Sequence, residues 1–532
     1  MSDLPAPSPN DRKKAWLNRH ETAVDRLLHG LLLALPSIWL LGYLFPPINH
    51  DAASILDVCH RWLSGETLYL DIIDVQAPMV YVLYSIPEVL SRLTGLNAPT
   101  WLTICVMAAI ALSFNLQIRA LNLVDSARAP LTGALFPAMS MYLMAVMPLD
   151  MFGQREHLML IACLPYAVLT AARAGGDRPP MGLAVSVAIF AGLTLGQKPH
   201  FVVIPTLIEL FVLYRVGFRA ALRDPVPWTI LAIFVSEIAF AWFVTPHYFT
   251  TTLPFVFDAY TKIGDVTVWQ LLTGRTMAPT IVVLALLTTA AFAWFGDLAR
   301  IVALFAIGGI LSAVVQDKGW GYHLLPAMAG TFLLGALVVT KTLDRFLPLD
   351  PHLHRVPVAM VTTAFMLLFY YEAALLDPPF GKQRDFANSV TGRMMELVER
   401  EAPNRKVLVL SPGIYPHYPM INYLGVRMTM RFQTMWALQG IYNKCEEMAP
   451  RYNAPDNMDA TEMFVFRTVA DDFAKQKPDL LIVDRIAGMP LCRADVFDYL
   501  EYFSRNPLFA KAFEKYEFYS SIDRYDVYRR KG

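Results

Sequence analysis

Charge is what this chain has least of. Asp, Glu, Lys and Arg make up 17% of its 532 residues, against about 25% in an ordinary soluble protein. Hydrophobic residues make up 55%, and the mean hydropathy is +0.40. A soluble globular enzyme does not have this composition. Neither sign of charge is in excess, with 45 basic and 45 acidic residues, so no basic field exists to hold a phosphodiester backbone and no nucleic-acid partner is expected. Cysteine is scarce as well. Cys59, Cys105, Cys163, Cys445 and Cys492 form no C-x-x-C pair, which leaves neither a disulfide framework nor a zinc or dithiol site of the usual spacing.

The charge that is present is unevenly placed. From Pro378 to Gly532 there are 22 basic and 20 acidic residues in 155, leaving 48 charged residues for the preceding 377. The first part therefore reads as a polytopic α-helical membrane domain (27–377) and the second as a soluble C-terminal domain (378–532). Apolar stretches of about 16 to 20 residues, near the length that crosses the hydrocarbon core, occur at 27–45, 101–118, 130–147, 157–173, 181–196, 199–216, 228–245, 278–296, 299–315, 324–341 and 356–375. These are eleven expected spans. The tail 1–26 carries Arg12, Lys13, Lys14, Arg19 and Arg26 without a signal-peptide cleavage pattern, so the positive-inside rule keeps it cytoplasmic and makes 27–45 an uncleaved anchor. Cationic loops at Arg173/Arg178, Arg215/Arg219/Arg223, Arg300 and Lys341/Arg345/Arg355 give the same register and put 378–532 outside. The apolar run 79–94 would break that parity if it crossed, and reads as an interfacial helix.

In the soluble part a helix is expected at 385–401, strands at 406–411 (KVLVLS) and 479–484 (DLLIVD), a helix at 461–476 and a closing YDVYRR strand. Helices alternating with strands indicate a small α/β domain. Cys445 and Cys492 both lie in it, where a disulfide between them is chemically allowed.

Ionisable groups are costly in hydrocarbon, yet polar clusters recur at the outer span ends. They are Asn49-His50-Asp51, Asp71 to Pro78 with Asp74 and Gln76, Asp150 to His157 with Gln154, Arg155 and Glu156, Gly196 to His200 with Lys198, and Gln316 to Pro326 with Lys318, Tyr322 and His323. Each alone is an ordinary solvated turn. Together, cations beside carboxylates suit a site that holds an anionic phosphate while a carboxylate does acid-base work. Transporters place such groups at mid-membrane, where only Glu209 and Glu237 stand out. Asp51 follows the first span and precedes a helix over 52–63, so it serves as a base or as that helix's N-cap. Outer histidines 50, 60, 157, 200, 247 and 323 show no recognised ligand spacing; no metal ligand is assigned, and a bound divalent ion stays open.

These residues bear a family likeness. An Asp just after the first span, a helix ending in RWLSGETLYLD, a QAPMVYVL re-entry and a late YHLLP resemble the GT-C class of integral-membrane glycosyltransferases, in particular the protein O-mannosyltransferase and lipid A aminoarabinose transferase superfamily. Two departures stand in the first outer loop, 46–78: His50-Asp51 replaces the usual acidic pair, and Ala77-Pro78 the double proline. The resemblance implies an enzyme of the inner membrane that moves a sugar, with inversion, from a polyprenyl-phosphate donor to an acceptor at the outer face. In that reading Asp51 is the base, with Asp71 and Asp74 in reserve. Arg155, Lys198, Lys318 and His323 meet the donor phosphate, and His50, Gln76, Glu156 and Tyr322 line the substrate. A transporter or flippase of lipid-linked saccharides is the rival reading, and a non-catalytic assembly partner a third. The sugar, acceptor, lipid and oligomeric state are not legible.

Overall fold

A helix lies over each of the eleven expected spans. The computed structural model describes residues 9–264, 266–347, 349, 354–376, 378–442, 451–487, 489 and 496–531, with backbone only for 9–22 and 29. The spans are α1 (Pro9–Gly42), α4 (Ala98–Leu121), α5 (Pro130–Ala145), α6 (Arg155–Ala174), α7 (Met181–Leu195), α8 (Val203–Val216), α9 (Pro225–Phe243), α10 (Met277–Trp294), α11 (Asp297–Gln316), α12 (Leu325–Phe346) and α13 (Arg355–Leu376). Among the described residues nine helices are long and apolar enough to cross a membrane. The other two, α5 and α7, have 16 and 15 residues. Starts are marked by caps and first-turn prolines, whose missing N–H is not needed there: Asn97 accepts from Thr100 N at 2.8 Å ahead of Pro99, and Asp224 from Val226 N at 3.0 Å ahead of Pro225.

The buried centre of the bundle is α6, packed against α4, α7, α8, α11 and α12. Small residues let α11 and α12 approach closely; a β-carbon on Gly309 would lie 2.7 Å from the Ala327 nitrogen. At one end of the bundle Arg173 of α6 binds Glu209 through two nitrogens at 2.8 and 2.7 Å and Asp224 at 2.5 Å. Glu209, one of the two carboxylates that stood out within the spans, thus belongs to a clamp.

At the opposite end sit the first loop and the C-terminal domain. Here α2 (His50–Leu63) and α3 (Pro78–Thr94) form a hairpin. Arg92 of α3 donates to the carbonyls of His60 and Leu63 at 2.8 and 2.9 Å, and Tyr84 donates to Gly153 O, so the middle and the last turn of α3 are held at this end of the bundle. His60 Nδ1 lies 2.8 Å from Glu88 Oε1. The Glu88 hydrogen bond raises His60 above its ordinary 6.5. Burial pushes Glu88 up, but hydrogen bonds from His60 and Arg92 outweigh it and hold the carboxyl below 4.5. The pair stabilises the hairpin only while His60 is protonated and Glu88 ionised: the His60 contribution is lost as pH rises through its raised value, the Glu88 contribution as pH falls through its lowered one. Thermal unfolding of His60→Gln across pH should therefore show its largest deficit against the wild type between pH 4.5 and 6.5, shrinking on both sides. A deficit independent of pH would mean that the contact is packing alone.

The C-terminal domain holds a five-stranded sheet of order β2-β1-β3-β5-β4, built from β1 (Lys406–Leu410), β2 (Arg427–Met428), β3 (Leu480–Asp484), β4 (Tyr516–Ile522) and β5 (Tyr525–Arg530). The first three are parallel, and β5 pairs antiparallel with both β3 and β4. All three expected strands are present; β2 and β4 were not expected. The expected helix 385–401 is corrected: Ser389 accepts from Gly392 N at 3.1 Å and starts α14 at Val390–Glu401. The helix expected at 461–476 is α16 (Ala460–Gln476), and between them α15 (His417–Leu424) packs on α2. Docking on the first loop is by hydrogen bonds: Ile73 N to Arg431 O at 2.8 Å, Asn422 Nδ2 to Ala53 O at 2.9 Å and Tyr418 hydroxyl to Asp57 at 2.8 Å. Cys445 and Cys492 lie outside the described residues, and with them the disulfide.

Candidate active site

The site is assembled where α2 and α6 begin. Helix α2 starts at His50, and its cap is Asn49, whose Oδ1 accepts from Ala52 N at 3.1 Å. This overturns the reading of Asp51 as N-cap of a helix 52–63: Asp51 stands in the first turn with its carboxylate free for side-chain partners. Gln154 Nε2 donates to Asp51 Oδ2 at 3.1 Å, Arg155 Nη2 lies 3.7 Å from the same oxygen, and His50 Nε2 is 3.7 Å from Oδ1. Gln154 also donates to Asn49 Oδ1 at 3.1 Å, and Asn49 Nδ2 to Asp150 O at 2.8 Å, which ties the two helix starts together.

Arg155 is the first residue of α6 and is buried. Its Nη1 donates to Gln76 Oε1. The turn before it needs Gly153 at φ +81°, a left-handed conformation natural to glycine. His157 holds this turn, with Nδ1 accepting from Gly153 N at 3.0 Å and Nε2 donating to Met144 O at 2.7 Å.

The two reserve carboxylates part company. Asp74 is buried; it accepts from the Tyr81 hydroxyl at 2.6 Å and from Val75 N at 2.7 Å. Burial raises its carboxyl above the usual range against the pull of those two hydrogen bonds and of Arg155. Asp71 is exposed, closes its own turn by accepting from Thr67 N at 2.9 Å, and lies off the cavity described next.

Asp51, Asp74, His50, Gln76, Arg155 and Tyr322 line one cavity of about 580 Å³, a size usual for small-molecule sites. Its far wall comes from Tyr260, Trp320 and the C-terminal domain, through 412–414 and 433–439. A second, mostly apolar cavity of about 740 Å³ opens on the other side of His50, between the end of α1, α4 and Pro379–Phe386.

Two of the expected cations stand behind the first cavity. Lys198 Nζ donates to Glu156 and, at 3.0 Å, to Gln316 Oε1, and lies 5.3 Å from the Tyr322 ring centre. His323 Nε2 is 4.0 Å from Glu156 Oε1. Lys198, Glu156 and His323 thus form one buried group beneath Arg155 and Tyr322. Lys318 is used elsewhere: it donates to the carbonyls of Tyr260, Thr261 and Ile263 at 2.9, 3.0 and 2.7 Å. All three ammonium protons are engaged, so in this conformation Lys318 holds the 260–263 turn instead of facing the cavity. Burial pushes its ammonium below the ordinary lysine value.

Among the described residues no three His, Cys, Asp or Glu side chains converge as metal ligands would. The sequence reading missed Tyr260 and the whole C-terminal wall. One signal was available: the Pro- and Tyr-rich SPGIYPHYP follows the first strand, at the carboxyl end where α/β sheets place ligands.

No protein-family profile matches this chain, and no curated protein does. Among solved structures it is similar to ArnT from Cupriavidus metallidurans in the apo state, with a TM-score of 0.51, 12% identity and coverage of 95% of this chain and 98% of that one. The archaeal oligosaccharyltransferase AglB from Archaeoglobus fulgidus, in complex with an inhibitory peptide and a dolichol-phosphate, matches at TM-score 0.42 and 12% identity, over 94% of this chain and 74% of that one. The fold is thus the GT-C fold that the first outer loop led us to expect.

Proposed function

We propose that this chain is a membrane glycosyltransferase that moves a sugar from a polyprenyl-phosphate donor to an acceptor at the membrane surface. The observation that carries the reading is the pairing of half-buried Asp51 with buried Arg155, set at two helix starts and facing one cavity. The chemistry follows from the two groups. Asp51 accepts the proton of an acceptor hydroxyl as its oxygen attacks the anomeric carbon. The bond from that carbon to the phosphate oxygen breaks, and the charge left on the lipid phosphate is met by the Arg155 guanidinium. Attack opposite the leaving group in one displacement inverts the carbon. Lys198 and Glu156 support the Arg155 side from beneath. The second cavity shares His50 with the first and gives an apolar berth for the chain of a lipid substrate.

The test is transfer itself. The purified chain in detergent should release polyprenyl phosphate from a polyprenyl-phosphate sugar in step with formation of the glycosylated acceptor. Movement of the intact lipid-linked sugar across a vesicle membrane, with no release, would favour the flippase instead.

For the topology we propose a cytoplasmic N-terminus and a periplasmic 378–532 in an inner membrane. A periplasm-dependent reporter fused after residue 380 should be active. Activity of a cytoplasm-dependent reporter at the same place would put the site on the wrong face for this donor chemistry.

A further inference from the structure

The two walls of the 580 Å³ cavity differ in kind. Its ionisable side chains, His50, Asp51, Asp74 and Arg155, all come from the first loop and the start of α6. Among the described residues the wall from the C-terminal domain carries no charge: it is Pro412 to Ile414, Gln433, Thr434, Trp436 and Gln439. Two polar atoms on that wall are buried with no hydrogen-bond partner among the described residues, the Gln433 amide nitrogen and the Trp436 indole nitrogen. Gln433 is 2% exposed and Trp436 8%. The other amide atom of Gln433 is engaged by the Tyr418 hydroxyl, itself 2.8 Å from Asp57, so the side chain is held in place. Buried N–H groups left unpaired are costly, and a site that keeps two of them on one wall is built for a ligand that supplies acceptors.

Aromatic rings continue the same wall. Tyr260 lies 5.6 Å from Trp436 and 6.4 Å from Trp320, and Trp320 lies 5.9 Å from Tyr322, centre to centre. Aromatic faces are apolar and electron-rich, and suit the C–H face of a sugar ring whose hydroxyl oxygens meet the N–H groups at its edge. A carboxylate on that ring would be desolvated there against electron-rich faces, with no cation on that wall among the described residues.

Resting on the donor reading above, we propose that this wall is a subsite for the donor's sugar ring, and that the ring carries no carboxylate: a hexose or pentose, not a uronic acid. Arg155 takes the phosphate at one end, and Trp436 with Gln433 takes the hydroxyls at the other.

The experiment is equilibrium binding of radiolabelled lipids to the full-length purified chain. The probes are polyprenyl phosphate alone and polyprenyl phosphate carrying glucose or glucuronic acid. Two neutral hydrogen bonds correspond to about a tenfold change in affinity, so the glucose lipid should bind about tenfold tighter than the bare lipid while the glucuronic acid lipid gains nothing. Trp436→Phe keeps the ring and deletes the N–H, and Gln433→Met deletes the amide. Each should erase most of the glucose gain and leave the bare lipid unchanged. Gln439→Leu, at a half-buried position, replaces either variant that does not fold. If the wild type does not bind the bare lipid, the donor reading fails. If it does, and the glucose gain is missing, is matched by the glucuronic acid lipid or survives the variants, the sugar wall is overturned.

Discussion

Asp51→Asn should leave a folded, inserted protein whose sugar transfer falls by a factor of about 10² or more, the scale of losing a positioned acid-base group. Asn is isosteric and keeps an acceptor for Gln154, which donates to Asp51 at 3.1 Å. It also leaves the helix start intact, because the cap is Asn49. A loss of activity therefore cannot come from a lost cap, and the melting temperature should change little. The readout is turnover at saturating donor and acceptor, with donor binding measured separately. Donor affinity should hold within a few fold, because the lost group acts on the acceptor proton. Wild-type turnover in this variant would remove Asp51 as the base and move the assignment to Asp74, which lines the same cavity. Asp71 is exposed and off that cavity, and Asp71→Asn serves as the inactive-site control with near-normal transfer.

Arg155→Gln should cost transfer about 10² to 10³, as removal of a single preorganised group opposite a developing oxyanion does. The side chain is 5% exposed, with one nitrogen on Gln76 and another 3.7 Å from Asp51. Its loss removes the only arginine or lysine lining the cavity among the described residues and leaves two carboxyl groups facing it. Both donor binding and the chemical step should suffer, and Asp51 loses an ionic neighbour as well. Arg155→Lys restores the charge but not the two-armed contact, and should recover only part of the activity, because a single ammonium cannot bridge Gln76 and the phosphate together. A purely structural Arg155 behaves differently: Arg155→Gln would then melt earlier while the folded fraction transfers sugar at the wild-type rate and binds donor normally.

The eleven helices over the apolar runs were legible because the signal for each is local and long. Runs of about 16 to 20 apolar residues stand out whatever the rest of the chain does, and the helices formed over every one. The strand KVLVL was legible for a related reason: a short apolar, β-branched run bounded by turn residues. Strand β2 was not, since Arg427–Met428 has two residues and exists only by pairing with Lys406 and Val407. The helix expected from 385 starts at 390 because Ser389, not an earlier residue, caps it.

Site residues divide along the same line. Asp51 and Arg155 could be picked out because charge is rare at span ends, but their pairing across 104 positions could not. Whether Asp51 or Asn49 capped α2 turned on a two-residue shift in a helix start, which composition does not resolve; the contact of Asn49 with Ala52 decides it. Lys318, between Asp317 and the Gly319 to His323 turn, is one of the four residues expected at the donor phosphate. Its three hydrogen bonds go to a turn more than 50 residues away, and nothing in either segment announces that meeting.

By itself, then, the sequence determined the membrane class, the helical spans, the α/β character of the last part and the polar clusters from which a site had to be drawn. Each of these rests on composition or on a period repeated within one segment. The tertiary structure alone decided which carboxylates share the cavity, which cations are occupied elsewhere, and that Gln433 and Trp436 close the site from a separate domain. Those facts depend on long-range contacts such as Ile73 N to Arg431 O and Tyr418 to Asp57. The free energy of such contacts belongs to two surfaces brought together, and no local pattern in either strand of sequence carries it.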